Sequence, residues 1–321
     1  MASEPPSTRQ LGFHQLHRGF RNAWWRSVLG IVVLVAVGVV LLQVILNTAI
    51  SVAIALGGSD DVSGDYDRLL DLSDPTPFGL ARLMLVLAGL IPVVFAVSWF
   101  LHRMRPGWRT SIAPRMRWGF FGICLVISVL ALIATLMVGT LMPLDSQADG
   151  AVEITPSVNE FTSKSLQFLL VVLVLVPFQA AGEEYAFRGY LTQVFGGHFG
   201  AWVAILAPAL LFALAHGAQD PPIFVDRFAF GLIAGILVVK TGGLEAAIAM
   251  HVLNNWLAFS MAIFFGDLGD ALNPSGGTWW SLPVTLTQSL AYLGMVLFAA
   301  RQLGLKTTVS EAELVASRGR V

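Results

Sequence analysis

Long apolar runs separated by short polar stretches organise this sequence. Eight runs reach or approach the ~20 residues that a helix needs to cross a bilayer. They lie at 29–54, 78–101, 120–142, 166–190, 201–216, 223–241, 244–265 and 280–300. The pattern predicts an all-α fold, a polytopic membrane helical bundle of about eight transmembrane helices.

The first apolar run resembles a signal peptide at both ends. It follows basic residues, begins at Leu29 and ends in Ala53-Ile54-Ala55, which resembles a cleavage site. The run is nevertheless much longer than the ~7–15 residues of a signal-peptide core. We therefore expect a retained first transmembrane helix.

Basic residues are unevenly distributed between the connections. The segments 57–77 and 143–160 are acidic and nearly free of lysine and arginine. The positive-inside rule therefore places both termini and the 102–119 loop in the cytoplasm. The two polar tails are expected to be mobile. The basic residues are Arg9, Arg18, Arg21, Arg26, Arg103, Arg105, Arg109, Arg115, Arg117, Arg301, Lys306, Arg318 and Arg320.

Composition narrows the possible partners. The chain is 56% hydrophobic and 12% charged, whereas soluble domains contain about 25% charged residues. With a net charge of −1 and no dense basic patch, we expect no nucleic-acid partner. The single cysteine, Cys124, excludes an intramolecular disulfide and a cysteine metal cluster. We interpret it as a packing residue.

Polar residues within the first three spans are few. Arg82 lies near a span end, where its side chain can extend to the interface. Gln43 and Asn47 are one helical turn apart, which favours hydrogen bonding between helices over a functional role.

The second half of the chain contains polar pairs spaced by four residues. The pairs are Glu184 with Arg188, Phe212 with His216, and His251 with Asn255. Residues four apart share one helix face, so Glu184 and Arg188 are expected to form an ion pair.

Glu183 is rotated from Glu184 by about 100° and has no evident local partner. Because ionisable groups inside spans are costly and usually functional, we expect its partners to come from other spans. The candidates are His216, His251, Asn255 and Asn254.

A carboxylate and two imidazoles around a wet cavity are suited to water activation. The glutamate can take a proton from water and return it to a leaving amine. The imidazoles can orient that water or bind zinc, and Asn255 can donate to the oxyanion of a tetrahedral intermediate. Neither HExxH nor GxSxG occurs. The set indicates peptide-bond hydrolysis.

Three motifs occur in order: "EEYAFR" fits EExxxR, "FALAH" fits FxxxH and "HVLNN" fits HxxxN. With these motifs, residues 166–260 resemble the CPBP intramembrane protease family. That family contains type II CAAX prenyl endopeptidases and the bacteriocin-processing and self-immunity proteins also called Abi.

The resemblance implies a role for each motif position. Glu183 would be the catalytic base, and Glu184 its essential neighbour, bridged to Arg188. His216 and His251 would complete the site with Asn255 as an oxyanion donor, and Phe212 would line the pocket. The implied organisation is an N-terminal tail (1–28), three helices with their loops (29–165), a catalytic core of about five helices (166–300) and a C-terminal tail (301–321).

The family is described both as metalloproteases and as metal-free, glutamate-dependent enzymes. A zinc ion would be held by Glu183, His216 and His251. Metal-binding histidines usually have a supporting carboxylate, and the sequence indicates none for these two. We therefore expect the metal-free mechanism. His216 also ends its span on the side away from Glu183 and His251, so the fifth span must be short, tilted or begin deep within the protein.

Two other functions fit the same residues. A non-catalytic immunity or scaffolding protein would keep the constellation for structure. A proton-coupled transporter would use it as a relay, although transporters more often show inverted repeats, which we do not find. The expected partners are the lipid bilayer and a membrane-anchored peptide or protein, with prenylation and oligomeric state left open. The short loops and the lack of organellar targeting indicate a bacterial cell membrane.

Overall fold

A computed structural model describes residues 9–19, 22–141, 157–217, 220–274 and 279–318. Arg21, Arg320 and most of the acidic 143–160 loop lie outside the described residues. The helices and strands are β1 (Gln10–Gly12), a 3-10 helix (Phe13–Gly19), α1 (Trp24–Leu56), α2 (Val62–Leu70), α3 (Pro77–Phe100), α4 (Gly107–Thr110), α5 (Trp118–Gly139), α6 (Ser163–His198), α7 (Ala201–Ala215), α8 (Pro221–Thr241), α9 (Glu245–Phe265), α10 (Leu268–Leu272), α11 (Ser281–Gln302), β2 (Thr308–Ser310) and α12 (Glu311–Arg318).

Seven helices within the described part of the chain are long and apolar enough to cross a membrane, namely α1, α3, α5, α6, α8, α9 and α11. This confirms a polytopic helical membrane bundle. The fifth predicted span is the shorter helix α7, whose 15 residues rise only about 22 Å. The expected shortness of that span is thus observed.

The fourth predicted span, 166–190, is too short. Helix α6 has 36 residues and a length of roughly 54 Å. Its last two turns pack on the N-terminal segment, where Arg18 donates to the carbonyls of Gly196 and Phe199. Contact with another part of the chain therefore continues the helix beyond its apolar sequence.

The described segments near both chain ends meet on one side of the bundle, which we call the basic face (9–19, 101–117, 196–200, 241–245 and 303–310). Strand β1 pairs antiparallel with β2, and Ser111 forms a bridge with Gly243. The expectation of mobile tails is wrong for these residues, because backbone pairing and burial of Leu11 and Val309 hold them in place. The basic segments do share one face, as the charge distribution predicts.

A buried ion pair joins two spans at the basic face. The Arg117 guanidinium donates to both carboxylate oxygens of Glu245, at 2.8 and 2.6 Å, and the Arg117 backbone donates at 3.0 Å. Glu245 is fully buried. The start of α5 is thereby fixed to the start of α9, the helix that carries His251.

The 3-10 helix buries two histidines against the basic face. Burial, reinforced by the charge of Arg18, lowers the pKa of His14 to about 4. Burial, followed by the charges of Arg109, His102 and His198, lowers the pKa of His17 well below 6.5. Both imidazoles are therefore neutral in the folded protein near pH 7.

Arg82 bonds inside the bundle instead of extending outward. Its Nη2 donates to Asn47 Oδ1 at 2.6 Å and to Gln43 Oε1 at 3.3 Å. The prediction for Arg82 is wrong because two polar partners on α1 face it, whereas the expected interhelical role of Gln43 and Asn47 is confirmed. Cys124 is fully buried, in agreement with a packing role.

Candidate active site

The Glu184 carboxylate binds an arginine and a histidine on the inside of the bundle. Its Oε1 accepts from Arg188 Nη1 at 2.8 Å and lies 2.9 Å from His251 Nδ1. Glu184 and Arg188 are fully buried. The i, i+4 ion pair predicted from the sequence is present, and it also holds a histidine from α9.

Glu183 faces the other side of the same histidine. Its Oε1 accepts from Gln179 Nε2 at 3.0 Å, and Gln179 Oε1 in turn accepts from Asn255 Nδ2 at 3.0 Å. The expectation that Glu183 has no local partner is wrong, because Gln179 lies one helical turn earlier on the same face. Glu183 Oε2 is buried and has no hydrogen-bond partner among the described residues.

His251 lies between the two carboxylates. Its Nδ1 bonds Glu184, while Nε2 lies 3.6 Å from Glu183 Oε2. A carboxylate can only accept, so Nδ1 carries the proton and Nε2 is the acceptor in the neutral ring. The expectation that no carboxylate supports the histidines is therefore wrong for His251, because Glu184 supports it from a distant helix.

An aromatic group separates the two histidines. The buried Phe212 ring lies 4.7 Å from the His216 ring and 6.0 Å from the His251 ring, centroid to centroid. The Arg188 guanidinium lies 4.3 Å above the Phe212 ring, and Phe230 lies 5.2 Å from His251. The short helix α7 thus brings His216 to the same phenylalanine ring that contacts His251.

His216 is oriented by its own helix. Its Nδ1 lies 2.8 Å from the Phe212 carbonyl, so Nδ1 donates and Nε2 is left as an acceptor in the neutral ring. The side chain is exposed at the end of α7, in contrast to the buried His251. His216 therefore lies at the open edge of the candidate site.

Close backbone packing sets the position of the two glutamates. A Cβ on Gly182 would lie 2.1 Å from the Leu87 carbonyl oxygen, so only glycine lets α6 approach α3 this closely. Immediately after Glu184 the helix widens into a π-helical segment, Tyr185–Leu191. Such segments often occur at functional sites, where they alter the direction of side chains along a helix.

The predicted zinc ligands are only partly assembled. Glu183 and His251 supply two adjacent donors, and Glu183 Oε2 has no partner among the described residues. Within the described part of the chain, no group of three or more His, Cys, Asp or Glu side chains is placed to hold a metal ion. As placed, the residues do not fit a three-ligand zinc site.

Sequence reasoning missed two residues of this site. Gln179 joins Glu183 to Asn255, and the i, i+4 spacing from Gln179 to Glu183 was a detectable signal. Arg227 lies on α8 one helical turn before Phe230, which packs on His251. No motif or spacing in the sequence marked Arg227.

Comparison with known proteins agrees with these motifs. A family model described as "Type II CAAX prenyl endopeptidase Rce1-like" matches residues 165–257. An uncharacterized protein, YyaK, from Bacillus subtilis is 25% identical over 294 residues, covering 86% of this chain and 92% of the relative. An uncharacterized 24.3 kDa protein from Escherichia coli is 30% identical over 101 residues, covering 30% of this chain and 43% of the relative.

The matched segment includes helices α6 to α8 and the part of α9 that carries His251 and Asn255. It therefore includes all three motifs and every contact described for Glu183 and Glu184. Residues 165–257 of this multi-pass membrane protein therefore match an Rce1-like domain, in agreement with the resemblance carried by the three motifs.

Proposed function

We propose that this protein is an intramembrane endopeptidase that hydrolyses a peptide bond of a membrane-associated protein or peptide, with Glu183 as the general base. One observation carries the proposal. Glu183 Oε2 is buried without a hydrogen-bond partner among the described residues and lies 3.6 Å from His251 Nε2, two acceptors facing one another. A separation of this size is too long for a direct hydrogen bond, and a water molecule beside the line that joins the two atoms can donate to both.

Two acceptors orient such a water in a reactive way. The water donates one proton to Glu183 Oε2 and the other to His251 Nε2, which leaves an oxygen lone pair free to attack a carbonyl carbon. The hydrogen bond from His251 Nδ1 to Glu184 fixes the tautomer of the neutral ring, in which Nε2 is the acceptor aimed at the water. Glu184 is thus a positioning residue, and its ion pair with Arg188 fixes the carboxylate in place.

The proposed reaction follows from this arrangement. The water oxygen bonds to the scissile carbonyl carbon while Glu183 takes the water proton, giving a tetrahedral intermediate. The C–N bond then breaks, and the protonated Glu183 gives its proton to the leaving amine. The products are a carboxylic acid and an amine.

The oxyanion of the intermediate needs a donor nearby. Asn255 Nδ2 uses one of its two hydrogens to bond Gln179, so its second hydrogen is available to the oxyanion. His216, at the open edge of the site, would orient water or substrate through Nε2. Phe212 would keep the two imidazoles apart and form the apolar wall beneath Arg188.

The basic face gives the proposed orientation in the membrane. His251 lies only six residues, about 9 Å along the helix, after Glu245 at that face. Because arginine-rich loops remain in the cytoplasm, we infer that both termini are cytoplasmic and that cleavage occurs in the cytoplasmic half of a bacterial cell membrane. The substrate would enter from the lipid bilayer.

The test compares membranes of the native host with the wild-type chain or E183Q by mass spectrometry of protein termini. E160Q is the matched control, because Glu160 is exposed and lies outside the spans. We expect uncleaved substrates to accumulate with E183Q only. Identical termini with a folded E183Q would refute proteolysis at this site and favour the scaffolding alternative, and proton-coupled uptake lost in E183Q would favour the transporter.

A further inference from the structure

Arg227 is a charge inside a membrane span that the proposed mechanism does not use. It is the seventh residue of α8. Its Nε is buried without a hydrogen-bond partner, and among the described residues the guanidinium has no ion pair within 4.0 Å. An unpaired guanidinium within a span costs several kcal/mol unless water or a ligand pairs with it.

The face of α8 that carries Arg227 borders the candidate site. Phe230, three residues later, lies 5.2 Å from the His251 ring. Gly231, four residues later, is so close that a Cβ there would lie 3.2 Å from Arg188 Nη2. Residues at these spacings share one helix face, so Arg227 lies one turn from the groups that surround His251.

The carboxylates near Arg227 form no ion pair with it among the described residues. Asp226 precedes it on α8, but no ion pair joins the two side chains within 4.0 Å. Glu183 accepts from Gln179 at Oε1, and its Oε2, which has no hydrogen-bond partner among those residues, forms no ion pair with Arg227 either. Glu184 is bound to Arg188 and His251. Among the described residues, the guanidinium therefore lies beside the proposed reaction centre without a carboxylate bound to it.

We propose that Arg227 binds a carboxylate of the substrate close to the scissile bond, and so selects acidic substrates. This inference rests on the proposed endopeptidase function. A guanidinium matches a carboxylate with two parallel hydrogen bonds. The carboxylate is either a side chain of Asp or Glu or the free C-terminus of the substrate, and both have the same chemistry.

Selection arises because a neutral substrate leaves the guanidinium unpaired. Losing a hydrogen bond to a charged group lowers kcat/KM by about 10- to 100-fold. In R227Q, the ratio of kcat/KM on acidic substrates to that on neutral ones should therefore fall by this factor. R227K retains the charge but not the planar fork, so its loss should be smaller.

The experiment uses the substrates found by comparing wild-type and E183Q membranes. In one arm, acidic side chains next to the cleaved bond are changed to Asn or Gln. In a second arm, residues are added to the substrate C-terminus to move its carboxylate away. Cleavage by the wild-type enzyme should fall about 10- to 100-fold in one arm, and that arm identifies the carboxylate. R227Q should be insensitive to the same change.

Other results would overturn the inference in distinguishable ways. If the wild-type enzyme cleaves the changed and unchanged substrates equally in both arms, it does not recognise a substrate carboxylate. This result holds even if R227Q does not fold, because both arms use the wild-type enzyme. A uniform loss in R227Q with a shifted pH profile means that Arg227 acts through Glu183. An equal loss in D226N means that the loss comes from the local structure of α8 and not from binding of the substrate. Identical termini in wild-type and E183Q membranes refute the protease proposal itself, and this inference with it.

Discussion

Substitution by glutamine should destabilise the protein at Glu184 but not at Glu183. In E184Q the neutral amide loses the charge that pairs with the fully buried Arg188, and its single oxygen must serve both Arg188 and His251. In E183Q the amide oxygen still accepts from Gln179, and the amide nitrogen takes the place of an oxygen without a partner among the described residues. Only the first change leaves a buried charge uncompensated.

The expected magnitudes follow from these contacts. Hydrogen bonds to charged groups contribute about 1.5–3 kcal/mol each, and breaking a buried pair costs about 3–5 kcal/mol. Because the amide introduced by E184Q keeps one acceptor oxygen, we expect this substitution to lower the free energy of unfolding by about 3 kcal/mol. For E183Q we expect a change within about 1 kcal/mol, with catalysis reduced about 10²- to 10⁴-fold.

Cys124 supplies the assay. It is the single cysteine of the chain and is fully buried on α5. A maleimide dye that fluoresces on thiol reaction therefore reports unfolding when the detergent-solubilised protein is heated. E184Q should react at a temperature lower by on the order of 5–10 °C, and E183Q should match the wild type. C124A is the control for dye background.

The refuting result is equally definite. If E183Q is destabilised as much as E184Q, then Glu183 Oε2 makes a stabilising contact that the structure does not show. If E184Q melts at the same temperature as the wild type, the buried pair with Arg188 contributes nothing to the free energy of unfolding. The assignment of separate roles to the two glutamates is then wrong.

Further predictions address the rest of the molecule. The folded pKa of His14 is about 4 and that of His17 is also lowered, so the unfolded chain binds more protons than the folded chain below pH 6.5. The free energy of unfolding should therefore fall as the pH is lowered from 6.5 to 4. The fall should be smaller in H14Q/H17Q, and dye melting across that pH range measures both. Q179L should reduce cleavage about 10-fold or more without unfolding the chain, since Glu183 and Asn255 both lose a partner; activity equal to wild type would contradict the bridge. Cleavage should persist in 1,10-phenanthroline, and its loss with recovery on adding Zn²⁺ would establish a metal mechanism. G182A should not assemble, because its Cβ would overlap the Leu87 carbonyl; wild-type melting would show that α3 and α6 move apart freely.

The sequence was sufficient for features that depend on local spacing. Apolar length predicts helices that cross the bilayer, because a helix rises by a fixed distance for each residue. The spacing of four residues predicts the Glu184–Arg188 ion pair, which is present at 2.8 Å. Charge distribution predicts that the basic segments share a face. Each of these three features follows from the spacing or the composition of residues that are close together in the sequence.

Only the tertiary structure decides which helix faces another. The bond from His251 to Glu184 joins residues 67 positions apart, and the link from Asn255 to Gln179 joins residues 76 apart. The pairing of β1 with β2 and the partners of Arg82 likewise come from distant segments. Helix periodicity fixes the direction of a side chain about its own axis, whereas its partner depends on how helices pack, which close contacts such as Gly182 against Leu87 determine. For that reason the sequence predicts the pair of Glu184 with Arg188, and only the fold shows that Glu184 also binds His251 and that Glu183 is joined through Gln179 to Asn255.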